Sequence, residues 1–208
     1  MTDKFQNKYR IPSARASWWN YGDNGGYFIA ICTKNRQHYF GEIVISDDAG
    51  VETQCIASLR ATPIGQIVET EWLKTISIRP DMNLKMDAFT VMPNHFHAII
   101  WIGDNQYNRD SDDANTDADA VVETPCMASL PPVPPAPMNK FGPQSKNLAS
   151  ILRGFKSAVT TFAVKNKIEF EWQERFYDHI IRDEESYQKI RNYIINNLQN
   201  WGTDKFNE

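Results

Sequence analysis

Cysteine is scarce in this chain: three in 208 residues, at Cys32, Cys55 and Cys126, with no Cys-x-x-Cys pair. An odd, widely spaced set excludes a disulfide framework, so these thiols are expected to be reduced and incidental. Long apolar runs are missing too. No stretch approaches a bilayer span, and Met1 to Arg10 lacks the apolar core of a secretory signal, so the expectation is a soluble, cytoplasmic protein. Positive charge is not in excess, with 22 Lys and Arg against 26 Asp and Glu and a net charge of −4. That deficit is local. Between Gly103 and Thr124 stand Asp104, Asp110, Asp112, Asp113, Asp117, Asp119 and Glu123 against Arg109 alone, so the rest of the chain is mildly basic and a polyanionic partner stays allowed. Histidine is also rare, four residues in all, which makes the placing of two of them informative.

A hydrophobic content of 41% with 12% aromatics supplies one medium core. The expectation is a single domain over 1–208, with a loop excursion at 42–60 and a mobile acidic, proline-rich insertion at 103–146. Tyr27 to Lys34 reads as a strand entered through Asn24-Gly25-Gly26, and Thr62 to Ile76 as a helix with Pro63 in its first turn. Met86 to Met92 and His95 to Ile102 read as strands joined by Pro93-Asn94, Asn147 to Asn166 as a second helix, Glu174 to Arg182 as a strand and Asp183 to Trp201 as a last helix. The order β-α-β-β-α-β plus a helix predicts an α+β fold, a ferredoxin-like split βαβ antiparallel sheet with a C-terminal helix. Two near-copies of one phrase, Val51 to Leu59 and Val122 to Leu130, fall in the two interruptions and are too few for a repeat architecture.

His95 and His97 open the apolar strand His95-Phe96-His97-Ala98-Ile99-Ile100-Trp101-Ile102. Residues i and i+2 of a strand share a face, so two imidazoles lie side by side while Phe96, Ala98 and Ile100 point into a core. By itself the pair fits a metal site or two core-edge histidines beside a turn. The last helix adds Tyr187, Ile190, Ile194, Leu198 and Trp201 as an apolar stripe, with Tyr193 and Asn197 one turn apart on its flank. Ile99 and Trp101 share the histidine face and need a cover. If this helix supplies it, Tyr193 and Asn197 arrive beside His95 and His97. Two imidazoles and an amide oxygen form an open N/O set suited to Mg²⁺ or Mn²⁺. A tyrosine oxygen beside a metal-bound phosphodiester is a nucleophile that conserves the bond energy in a phosphotyrosine. Taken alone, a helix tyrosine is more often a packing residue.

Five ordered motifs carry a resemblance: Cys32-Thr33-Lys34-Asn35-Arg36 with Phe40-Gly41; Val91-Met92-Pro93-Asn94-His95-Phe96-His97; Ile151-Leu152-Arg153-Gly154-Phe155-Lys156-Ser157; Trp172 through Arg182; and Tyr193-Ile194-Ile195-Asn196-Asn197. Together they resemble the single-tyrosine HUH transposases, most closely the REP-associated tyrosine transposase branch. The resemblance implies His95, His97 and Asn197 as ligands of a divalent metal and Tyr193 as nucleophile. It also implies cleavage and rejoining of single-stranded DNA at hairpin-forming repeats through a 5′-phosphotyrosine with a free 3′-OH. Such proteins commonly carry proline after the asparagine. This chain has Leu198, so the helix is expected to run on toward Trp201. Relatives work as monomers or as dimers that exchange the catalytic helix, and the sequence leaves that open.

Lys189, one turn before Tyr193, is a candidate to hold the scissile phosphate or stabilise a tyrosinate. Lys34, Arg36, Arg153, Lys156 and Arg182 are candidate DNA contacts, each equally readable as a solvated cation. His179 beside Asp178 has a proton-shuttle reading, though adjacent strand residues face opposite sides; His38 reads as a surface residue. The alternative function is a non-catalytic module, derived from a transposase, that holds single-stranded or hairpin nucleic acid on its sheet.

Overall fold

The computed structural model describes residues 4–5, 8–9, 19–46, 56–108 and 145–207. The chain divides into two units, Met1–Tyr21 with Asp110–Pro143, and Gly22–Arg109 with Gln144–Glu208. In the first, the short strands β1 (Lys4–Phe5) and β2 (Lys8–Tyr9) pair antiparallel. The second unit contains β3 (Gly25–Cys32), β4 (Gly41–Ser46), β5 (Ile56–Ala61), α1 (Pro63–Ile78), β6 (Leu84–Val91), β7 (His95–Ile102), α2 (Leu148–Lys165), β8 (Tyr177–Ile181) and α3 (Glu184–Asn196). Its main sheet is antiparallel in the order β6-β7-β3-β8. The first strand of the β-α-β-β-α-β series thus lies between the third and the fourth, the ferredoxin-like arrangement the element order predicts.

Strand alternation divides the core. Tyr27, Ile29 and Ile31 of β3 pair with Ile100, Ala98 and Phe96 of β7, and all six are fully buried. On that face Trp72 of α1 packs edge-on to Phe96 and to Phe155 of α2, at 5.1 and 5.4 Å. The opposite face carries Phe28, Ala30, Ile99 and Ile181 and is covered by Ile194, Ile190 and Tyr187 of α3. Each helix begins with a side-chain cap: Thr62 accepts from Gly65 N, Asn147 forms a reciprocal box with Ser150, and Asp183 accepts from Ser186 N.

Several element ends depart from the sequence expectation, most clearly in β3, β8 and α3. β3 starts at Gly25 rather than Tyr27 because Gly25 and Gly26 pair with Ile102 and Trp101, and the missing Cβ of Gly26 leaves room for the Trp101 indole. It stops at Cys32 because Thr33 N turns to Asn94 O, and Asn35 and Arg36 take left-handed φ values of 52° and 55°. β8 is shorter than Glu174 to Arg182, since the chain first bridges Trp172 to Thr33 and bends at Arg175, φ 68°. The last helix ends at Asn196 instead of reaching Trp201. Asn200 N returns to the carbonyls of Asn196 and Asn197, and a short 3₁₀ turn follows at Trp201–Thr203. Asparagine is a poor helix former, and at the Asn196-Asn197 pair the helix yields to the turn geometry.

The 42–60 excursion is a hairpin, β4 paired with β5. Its tip, with Cys55 and most of the first repeated phrase, lies outside the described residues. At the start of the 103–146 insertion, Gly103 to Asn108 form a hydrogen-bonded turn: buried Asn105 donates to Met82 O and Gly103 O, and Asn108 to Gly22 O and Gly103 O. Tyr107 and Lys146 both hold the Asp81 carboxylate, tying the two ends of the remaining segment together. Residues 109–144, with Cys126 and the second phrase, fall outside the described residues.

A methyl group at Gly65 would collide with the backbone carbonyl of Phe40, which cannot swing aside because it accepts from Thr62 N at 2.9 Å. Alanine gains about 1 kcal/mol in helix propensity, whereas forced overpacking costs about 1–3 kcal/mol. Gly65→Ala is therefore expected to lower the urea midpoint; a rise would show that α1 can move off Phe40.

Candidate functional site

β7 delivers His95 and His97 to the α3 side of the sheet, opposite Cys32 and Ala30 of β3. The rings are fully buried with centroids 4.5 Å apart. Helix α3 crosses this face and brings Tyr193 to His97, with the phenolic oxygen 3.2 Å from His97 Nε2. Asn197, the C-cap residue of α3, is 1% exposed and its Nδ2 donates to Asp204 Oδ2 at 3.0 Å. The four residues singled out by sequence thus meet at one place, one half from a strand and one half from a helix end almost a hundred residues later.

Helix α3 is fastened at its other flank by a bulge. The register of β6 against β7 slips between Met86 and Phe89, which presents Asp87 to the helix. Tyr187 donates to Asp87 Oδ2 at 2.6 Å, and Arg191 Nε reaches Oδ1 at 3.4 Å. Burial pushes Asp87 up, but hydrogen bonds from Tyr187, Ala88 N and Arg191 outweigh it and leave the carboxyl below its ordinary value.

Three residues that sequence reasoning did not assign complete the setting. Asn94, fully buried, lies 2.8 Å from His95 Nδ1 through its Oδ1. Asp204 holds the Asn197 amide. Phe206 lays its ring 4.6 Å from that of His95. Asn94 had a signal, its place inside the His-x-His turn. Asp204 and Phe206 had none, because their tail has no periodicity and meets the site only through the turns after α3.

The cations are placed variously. Lys189 is exposed, paired with Glu185 at 2.6 Å, and lines a groove with Phe28, Tyr177, His179 and Ile190 beside the α3 edge. Lys34 pairs with Glu171, and Arg36 donates to Lys205 O at 3.1 Å with its guanidinium over Phe206. Lys156 is tied to the carbonyls of Gln173 and Arg175, at 2.9 and 3.2 Å, so it braces the segment before β8. Arg153 is exposed on α2, the helix on the sheet face away from the histidines, and Arg182 is exposed just after β8. Arg36 stands near the candidate site, Lys189 lies one turn along α3 with its ammonium drawn back to Glu185, and Arg153 is left on the other side. His38 is exposed, with its ring edge against Trp201.

Burial pushes His95 down to about 3, with the neighbouring Asn197 amide working the other way, and pushes His97 well below its ordinary value, aided by His95. Both rings are neutral and can offer lone pairs. Tyr193 is raised, first by burial and then by the charge of Asp204, so its phenol keeps its proton near neutral pH. Among the described residues His95 Nε2, His97 Nδ1 and Asn197 Oδ1 are buried without a hydrogen-bond partner. Each of the three residues thus carries one buried acceptor-capable atom with an unmet electrostatic demand, and at His97 it is the other ring nitrogen, Nε2, that faces Tyr193.

No family profile matches the chain. It is 33% identical over 207 residues to an uncharacterized protein of Haemophilus influenzae, an alignment covering 99% of this chain and 98% of that one. The chain belongs to the family of that protein. Its fold is similar to that of a REP-associated tyrosine transposase solved bound to a REP hairpin, with a TM-score of 0.51 over 94% of this chain and 77% of that one. Identity there is 17%, and the likeness is one of fold. No helix among the described residues is long and apolar enough to cross a membrane.

The unfolded chain protonates its histidines near 6.5, whereas folded His95 resists protonation down to about 3. Below about 6.5 the unfolded state therefore binds more protons, and stability is lost as the pH is lowered through that window. In EDTA, the urea midpoint of the wild type is expected to drop between pH 7.5 and 5 by more than that of a His95→Gln/His97→Gln variant. Equal drops would show that the rings are not held neutral.

Proposed function

We propose that this protein cleaves and rejoins single-stranded DNA, with Tyr193 as nucleophile and hairpin-forming repeats as substrate. The observation that carries the reading is the meeting of Tyr193 with His97 at 3.2 Å, beside buried His95 and Asn197. The Tyr193 oxygen attacks phosphorus, the bond to the 3′ oxygen breaks, the phenol proton passes to solvent and the leaving oxygen takes one up. The product is a 5′-phosphotyrosine with a free 3′-OH, and the reverse attack rejoins strands.

The side chains of His95, His97 and Asn197 fit a divalent cation, Mg²⁺ or Mn²⁺: neutral imidazoles and an amide oxygen form an N/O donor set, and His95 Nε2 and Asn197 Oδ1 are buried without a hydrogen-bond partner among the described residues. Bound there, such an ion would supply positive charge to polarise the phosphodiester and favour the tyrosinate. That supply matters because the protein's own groups raise the Tyr193 pKa. Tyr193 is 39% exposed and lines an open cleft with Asn197, Asn200, Thr203 and Lys205, so a strand can approach its hydroxyl. Lys189, one helical turn earlier, is the candidate to meet the scissile phosphate, and Arg36 and Lys34 the flanking ones.

The test is incubation with 5′- and 3′-labelled hairpin DNA from the flanks of the gene, with Mn²⁺ or EDTA, followed by denaturing electrophoresis. A metal-dependent adduct retaining only the 3′-side label is expected for the wild type and should fall to background in Tyr193→Phe, with DNA binding kept. An adduct that survives in Tyr193→Phe overturns the nucleophile. Hairpin binding without an adduct under any metal favours the non-catalytic module.

A further inference from the structure

Asn94 joins three separate segments. Its Nδ2 donates to the carbonyl of Arg36 at 3.1 Å and to that of Phe206 at 2.6 Å. The first carbonyl is aimed by the left-handed pair Asn35 and Arg36, and the Asn94 backbone is pinned by Thr33 N on its own carbonyl at 2.9 Å. Carbonyl oxygens only accept hydrogen bonds, so chemistry alone decides which end of the amide is nitrogen. Both amide hydrogens are engaged, and Oδ1 is the atom left to face His95 Nδ1 at 2.8 Å. An amide oxygen donates nothing. The hydrogen in that contact therefore belongs to His95, and a neutral imidazole carries only one N–H. His95 Nε2 is then a bare lone pair, buried and without a partner among the described residues.

The geometry assigns Asn94 as a positioning residue that locks His95 in the Nδ1–H tautomer and presents Nε2 to the site as a lone pair. The same logic recurs opposite. Asp204 can only accept from Asn197 Nδ2, which leaves Asn197 Oδ1 bare on the side of the histidines. Two ligand candidates from distant elements are thus aimed by partners whose hydrogen-bonding sense admits one orientation. The consequence for cation binding rests on the reading under Proposed function; the tautomer does not.

The full chain with ¹⁵N-labelled histidine, in EDTA at pH 7.5, is examined by long-range proton–nitrogen correlation, with a His95→Gln spectrum for assignment. Wild type is expected to show a protonated Nδ1 and an unprotonated Nε2 at His95. Asn94→Leu removes the acceptor and should move His95 toward the other tautomer, with Mn²⁺ affinity falling about 10–100-fold. Asn94→Asp keeps an acceptor and should restore the Nδ1–H signature, which a merely structural role would not predict. The proposal is overturned by an Nε2–H tautomer in the wild type, or by a folded Asn94→Leu with unchanged tautomer and Mn²⁺ affinity. If Asn94→Leu does not fold, Asn94→Ser, too short to reach the ring, takes its place under the same criteria. An Nδ1–H tautomer in a wild type that binds neither Mn²⁺ nor Mg²⁺ sinks the metal reading and leaves the role of Asn94 standing.

Discussion

The pairing of β3 with β7 is the constraint on which the rest depends. Eight consecutive residue pairs fix the register from Gly25–Ile102 to Cys32–His95. A slip of one residue would move Phe96, Ala98 and Ile100 out of the aromatic core and drive His95 and His97 into it. Because the α1 and α2 side is filled by Trp72 and Phe155 against Phe96, that slip is heavily disfavoured. The core packing on one face is what holds the imidazoles on the other.

Burying two imidazoles has an electrostatic consequence. Removed from water and set side by side, they cannot both carry charge, and desolvation keeps them neutral. One nitrogen of each neutral ring finds a partner, His95 Nδ1 at Asn94 and His97 Nε2 at Tyr193, while Phe206 from the tail covers the His95 ring and the other two nitrogens stay bare. Helix α3 holds its place through a few contacts, among them Ile194 in the core and Tyr187 on the Asp87 bulge. A site built this way couples the stability of a helix to the geometry of its hydroxyl.

Much of this was legible beforehand. Period-two alternation in His95–Ile102 gave the strand and its faces, and the helix starts read at Thr62, Asn147 and Asp183 fall within a residue of those observed. The spacing of Tyr193 and Asn197 around Ile194 placed both on the flank of a buried stripe. Ends were read less well. The glycines opening β3 pair because Trp101 packs above Gly26, and the asparagine-rich end of α3 turns early because Asp204 engages Asn197. Both facts depend on residues remote in sequence.

The sequence by itself determined the order of elements, the faces of the strands and which four side chains would compete for one place. These follow from local periodicity and residue chemistry, which act over a few positions. Only the tertiary structure decided how the histidines are satisfied, which cations stand near them and which way each amide points. Those depend on contacts between Asn94, Arg36, Asp204 and Phe206, brought together by the closing of the chain around the sheet. No local rule links residues so far apart, because their hydrogen bonds exist only once the fold has excluded water from between them.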